Sequence, residues 1–237
     1  MARIDDVFVS GTLGNLVFYR RMGKACVRMK RTNIRQTQAT KKRSENFGIA
    51  SGLGRILRMG LHATMPEPTN RSMQSRFTGA IALWLGKNDV NNLPPAESVP
   101  CVSSFSFTDN DGFYGRCRIP VTIELSSDGI RLITGRFIPV DKISAPAGTQ
   151  KVIITFDVTT ADLLKMASAG YQTHHVEVAY SQDEIPAKHF DFRVGTSKGT
   201  LVVTAARIQY VGTKYGQHRI IENRKFNPAG VIDARYF

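Results

Sequence analysis

The sequence predicts an α+β chain: a basic β-hairpin and a pair of helices first, then an antiparallel, strand-only region. Three observations lead there. Apolar and polar residues alternate through residues 5–31, and apolar residues then recur at three- and four-residue steps through 37–85. After Val99 short alternating runs are separated by Gly-, Asp- and Pro-bearing turns. Charge is divided just as unevenly. Residues 1–76 hold fifteen of the 32 Lys and Arg against four of the 19 acids, a net of +11 out of a total of +13. Clustered charge of one sign attracts polyanions, and no fold requires it.

Taken in order, Asp5-Asp6-Val7-Phe8-Val9 predicts a short strand, Gly11–Gly14 a turn and Leu16–Arg20 a second strand. Arg21-Met22-Gly23-Lys24 predicts a tight turn with Gly23 in the left-handed region, and Ala25–Lys30 returns. Leu16, Phe18 and Arg20 then share one face, and Val17, Tyr19 and Arg21 the other. Over 37–61 the positions Phe47, Ala50, Leu53, Ile56, Leu57 and Leu61 predict a helix capped by Thr37 or Thr40. Its glycines, 48, 52, 54 and 60, predict close approach of another backbone. Pro66 and Pro68 end it. A second helix follows from Thr69 or Asn70 to about Leu85, with Met73, Phe77, Ile81 and Trp84 on one side.

The polar stretch Asn91-Asn-Leu-Pro94-Pro95 predicts a boundary: residues 1–95 as a hairpin and two-helix module, 96–237 as a β-sandwich, immunoglobulin-like or similar. A split of the second part into two subdomains would fall near 143–150. Its strands are expected at 102–107, 116–125, 130–140, 151–158, 175–180, 190–194, 200–210, 217–222 and 231–237, with one short helix over 160–169.

The first third resembles a family of uncharacterised proteins common in Bacteroidota. The shared features are a Gly-x-x-Gly-Asn step (Gly11, Gly14, Asn15), a Gly-Lys turn (Gly23, Lys24), a Val-Arg step (Val27, Arg28) and a basic helix with Gln38 and Arg-Ser-x-x-Phe (Arg43, Ser44, Phe47). Phe226-Asn-x-x-Gly230…Tyr236 is a weaker echo of how such chains end. After Arg28 the family tends to a Ser/Pro segment, where this chain has Met29-Lys30-Arg31. The resemblance implies a helical N-terminal part followed by β-rich domains, and no activity.

Catalytic and metal chemistry find little support. Three scattered cysteines (26, 101, 117) make no disulfide framework and point to a reducing compartment. His174 and His175 point to opposite faces of a strand, so they form no chelating pair, and no metal or other cofactor is expected. No phosphate-cradling glycine loop, nucleophile elbow or zinc-protease helix is present. The N-terminus lacks the apolar core of a secretory signal, and no run approaches the ~20 apolar residues of a membrane span. The expectation is therefore a cytoplasmic protein, or one assembled into a particle in the cytoplasm, that is not an enzyme and has no membrane partner.

The positive reading is a nucleic-acid-binding protein that grips DNA or RNA backbone without sequence preference. Phosphate contacts fall to Arg20, Arg21, Lys24, Arg28, Lys30, Arg31, Arg35, Lys41, Lys42 and Arg43. Phe18 and Tyr19 beside the two arginines add stacking surface. The alternative is a structural subunit of a phage-like or other large assembly, a homo-oligomer whose basic arm grips a neighbouring subunit or packaged DNA.

Overall fold

Alternation in the first thirty residues builds four strands where the sequence suggests two and a return. β1 (Arg3–Asp5), β2 (Phe8–Leu13), β3 (Leu16–Arg21) and β4 (Lys24–Met29) form an antiparallel meander in chain order. Gly11–Gly14 is not a turn. β2 runs through Gly11 and Thr12, and the reversal comes at Gly14-Asn15. The next reversal is the expected one: Met22 and Gly23 have φ of 50° and 78°, and positive φ at both central residues is the two-residue geometry that matches strand twist.

The computed structural model describes residues 3–5, 8–31, 36–65, 71–88, 97–108, 112–126, 128–214, 216–223 and 226–237. These fall into two units, residues 1–42 and 43–237. The helical pair therefore belongs mostly with the strands that follow it, and the division lies well before residue 95.

Helix α1 (Gln38–Gly60) starts where the Thr37 hydroxyl accepts the Thr40 amide at 3.2 Å, the capping that the sequence predicts. It buries Ala50, Leu53, Leu57 and Gly60, and α2 (Arg71–Lys87) buries Met73, Phe77, Ile81 and Trp84. The expected caps of α2, Thr69 and Asn70, lie outside the described residues. A short strand β5 (Glu97–Ser98) and two single-turn helices follow, α3 (Pro100–Ser103) and α4 (Phe113–Arg116). The expected strand at 102–107 is absent because Pro100 occupies the first turn of α3, where its fixed φ suits a helix.

Next come β6 (Val121–Ser126), β7 (Gly129–Thr134), α5 (Pro139–Lys142), β8 (Thr149–Asp162), β9 (Ala167–Ala179), β10 (Lys188–Arg193), β11 (Thr200–Lys214), β12 (Gln217–Ile220) and β13 (Ala229–Tyr236). Six of the strands form one antiparallel sheet in the order β5-β13-β11-β8-β9, with β12 on β11; three form a second, β10-β7-β6. One core joins Leu53, Leu57, Phe77 and Trp84 of the helices to Leu201, Val203, Val231 and Tyr236 of the large sheet. Another joins Phe156, Val158, Ile208 and Tyr210 from its opposite face to Ile130, Leu132 and Phe192 of the small sheet. The larger unit is thus layered as helices, large sheet, small sheet.

Residues 160–169 are not a helix. The apolar spacing of Leu163, Leu164 and Met166 imitates one, but β8 continues to Asp162. There the carboxylate accepts the amides of Leu164 and Lys165, both at 2.9 Å, and Met166 at φ 49° reverses the chain into β9. The Lys165 amide is the main cause holding this carboxyl below its ordinary range.

Candidate nucleic-acid interface

Strand pairing decides which cations share a surface. Cross-strand partners in an antiparallel pair point to the same side. Arg21 opposes Lys24, Tyr19 opposes Cys26, and Val17 opposes both Arg28 and Thr12, so these side chains occupy one face of the meander. The other face holds Leu13 with Leu16, Leu16 with Met29, and Phe18 with Val27; Arg20, opposite Ala25, lies at the turn end of this second face.

The predicted residues therefore divide. Arg21, Lys24 and Arg28 form a basic face with Tyr19 among them. Lys24 and Arg28, four residues apart on β4, are separated by about 13 Å of strand rise. Arg20 points away from them, so the local group Phe18-Tyr19-Arg20-Arg21 splits two and two between the faces. Lys30 and Arg31 follow the end of β4, where the Lys30 amide donates to the Asn15 carbonyl at 2.6 Å. That is the opposite end of the hairpin from Arg21. Lys41, Lys42 and Arg43 are exposed on the first turns of α1, which carries no acid in its first turn. Arg35 lies outside the described residues.

Arg21, Lys24 and Arg28 are exposed, and among the described residues no carboxylate lies within ion-pair distance of them. Uncompensated cations on a fixed strand frame hold phosphate oxygens at little cost in backbone ordering. Ion pairs among the described residues include Arg131–Asp191, Lys151–Glu177, Lys165–Asp162 and Arg235–Asp233, none of which involves these three cations.

The remaining polar groups hold the fold. The His174 imidazole Nε2 meets the Asp191 carbonyl, and His175 Nδ1 meets the Thr155 hydroxyl at 3.0 Å. No cluster of three or more metal-ligating side chains occurs among the described residues. A cleft of about 540 Å³ is lined by Arg207, Tyr210, Ile221 and Phe226. Two of its polar side chains are bonded to the scaffold: Arg207 donates to the Met65 carbonyl and Tyr210 to the Ser144 carbonyl. Among the described residues no helix is long and apolar enough to cross a membrane.

What sequence reasoning missed is the strand β2 that extends the apolar side of the meander. Leu13 is 63% exposed, Leu16 41%, Val27 56% and Met29 73%. The alternation Val9-x-Gly11-x-Leu13 carried the signal, and reading Gly11–Gly14 as a turn hid it. Comparison of the chain with protein families, with curated proteins and with solved structures finds no match.

Proposed function

We propose that this chain is a non-enzymatic protein that binds nucleic-acid backbone through the basic face of its N-terminal meander. One observation carries the reading: Arg21, Lys24 and Arg28 share one strand face with no carboxylate to neutralise them among the described residues. Lys30 and Arg31 follow that face along the chain, Arg20 lies at the turn end of the other, and Lys41, Lys42 and Arg43 supply further positive charge on α1. Contacts of this kind read phosphate, not base edges, so affinity is the same for unrelated sequences. Tyr19 offers a ring for stacking on a single strand. The antiparallel region that follows in the chain is read as sandwich-like.

The test is mobility shift of the full chain on two duplexes of unrelated sequence and one single strand. Equal affinity for both duplexes, lost in Arg21→Ala/Lys24→Ala/Arg28→Ala, supports the reading. Preference for one duplex, or binding unchanged in the triple variant, contradicts it.

The second reading, a structural subunit of a phage-like or other large assembly, is favoured by the exposed apolar side of the same meander. It predicts a molar mass that rises with protein concentration at high salt, where phosphate binding has vanished.

A further inference from the structure

We propose that the apolar face of the meander is the contact between two copies of this chain, stacked sheet on sheet. The inference deepens the assembly reading by naming the partner and the surface, and it does not need the nucleic-acid reading.

The face is built from three strands: Val9, Gly11 and Leu13 on β2, Leu16 and Phe18 on β3, Val27 and Met29 on β4. The four most exposed of these side chains leave on the order of 450 Å² open, the size of the largest apolar patch on a typical monomer, which is often a functional one. A sheet with one apolar face needs a second layer to bury it. Two sheets of equal strand number stack about 10 Å apart with their inner side chains interdigitated. A second copy supplies a sheet of the same width and length.

Charge selects this partner over others. The cations Arg21, Lys24 and Arg28 all lie on the opposite face, and among the described side chains Arg20 is the one strand cation on the apolar side, at its turn end. Two apolar faces meet without opposing their main charges, whereas two basic faces would set cations against cations, and a basic face on an apolar one would bury cations without counter-charge. An acidic partner would be drawn to the basic face, where it finds counter-charge, and away from this one. Two copies together bury about 900 Å² from these four side chains, just under the roughly 1,000 Å² of a specific interface, so the dimer is weak and concentration-dependent. Its two basic faces look outward in opposite directions.

The experiment uses the full chain without nucleic acid. Sedimentation across micromolar concentrations is expected to show monomer passing to dimer, and Val27→Gln/Met29→Gln to remain monomeric with an unchanged far-ultraviolet spectrum. Both substitutions conserve charge. A second measurement does not depend on destabilising the face. In a Cys26→Ser/Cys101→Ser background, Leu16→Cys is expected to give a cross-linked dimer with a short bis-maleimide, and Val17→Cys, on the opposite face, to give none. A chain that stays monomeric overturns both this inference and the assembly reading. Oligomers that persist in the glutamine variant, or cross-link equally from position 17, overturn this inference alone.

Discussion

Asp157 ties the helical layer to the large sheet, as the Arg207 bond to the Met65 carbonyl also does. It is fully buried on β8; its Oδ2 accepts the Thr64 amide at 2.8 Å and its Oδ1 the Thr173 hydroxyl at 2.5 Å. Asp157→Ala removes both bonds and leaves the Thr64 amide only the longer one to the Leu61 carbonyl at 3.2 Å, and urea unfolding is expected to register a loss of about 2 kcal/mol. Nothing in the sequence announced this role, because Thr64 lies 93 residues away. Cys117 is likewise fixed by its surroundings: burial pushes its thiol up to about 12, from an ordinary value of 9.0. The unfolded chain therefore releases this proton from about pH 9 while the folded chain keeps it to about 12. Stability falls as pH rises through that window, since the unfolded state then binds fewer protons. Burial also raises the Tyr210 phenol, which adds to the same decline. Melting temperature is expected to drop between pH 9 and 11, with a shallower drop in Cys117→Ala. A flat profile over that range would mean that the thiol is solvated.

At the scale of elements, the glycines of α1 separate into two kinds. A Cβ on Gly60 would meet Thr159 Oγ1 at 2.0 Å and its Cβ at 2.6 Å, so only glycine lets the helix rest on β8. A Cβ on Gly48 meets nothing within 4 Å. Gly60→Ala is expected to destabilise by about 1–3 kcal/mol through overpacking. Gly48→Ala is expected to stabilise by about 0.5–1 kcal/mol, as alanine does in an open helix position. Thermal or urea unfolding of the two variants checks both signs; equal effects would place Gly48 against a surface. That small residues in this helix mean close approach was legible; which glycine meets the sheet was not, since that depends on where the helix crosses β8. The reversal at Met22-Gly23 was legible from the Gly-Lys step, and both helices from period and capping. Residues 160–169 were not, because Asp162 terminates β8 through local amide hydrogen bonds that apolar spacing does not reveal. Only a residue-by-residue count of alternation through Gly11 would have found β2.

For the whole molecule, the uneven charge was plain from the sequence, and so was the placing of Arg20 and Arg21 on opposite faces of their strand. Which cations of neighbouring strands share a face was fixed only with the register, and a one-residue error in the turn would exchange the faces. With the register in hand, Arg21, Lys24 and Arg28 stand against Leu13, Leu16, Phe18, Val27 and Met29 on opposite sides of one thin sheet. One side is suited to phosphate and the other to a second sheet, so a single small element serves both proposals and neither depends on the larger unit's chemistry. The measurement that tests the central claim most directly is fluorescence anisotropy of a labelled duplex titrated with the full chain between about 50 and about 300 mM salt. Wild type is compared with Arg21→Ala/Lys24→Ala/Arg28→Ala. Affinity should fall steeply with salt, and the triple variant should flatten the logarithmic slope by about three phosphate contacts. Absence of binding at the lowest salt, or the same slope in the variant, would contradict a phosphate-gripping role for the basic face.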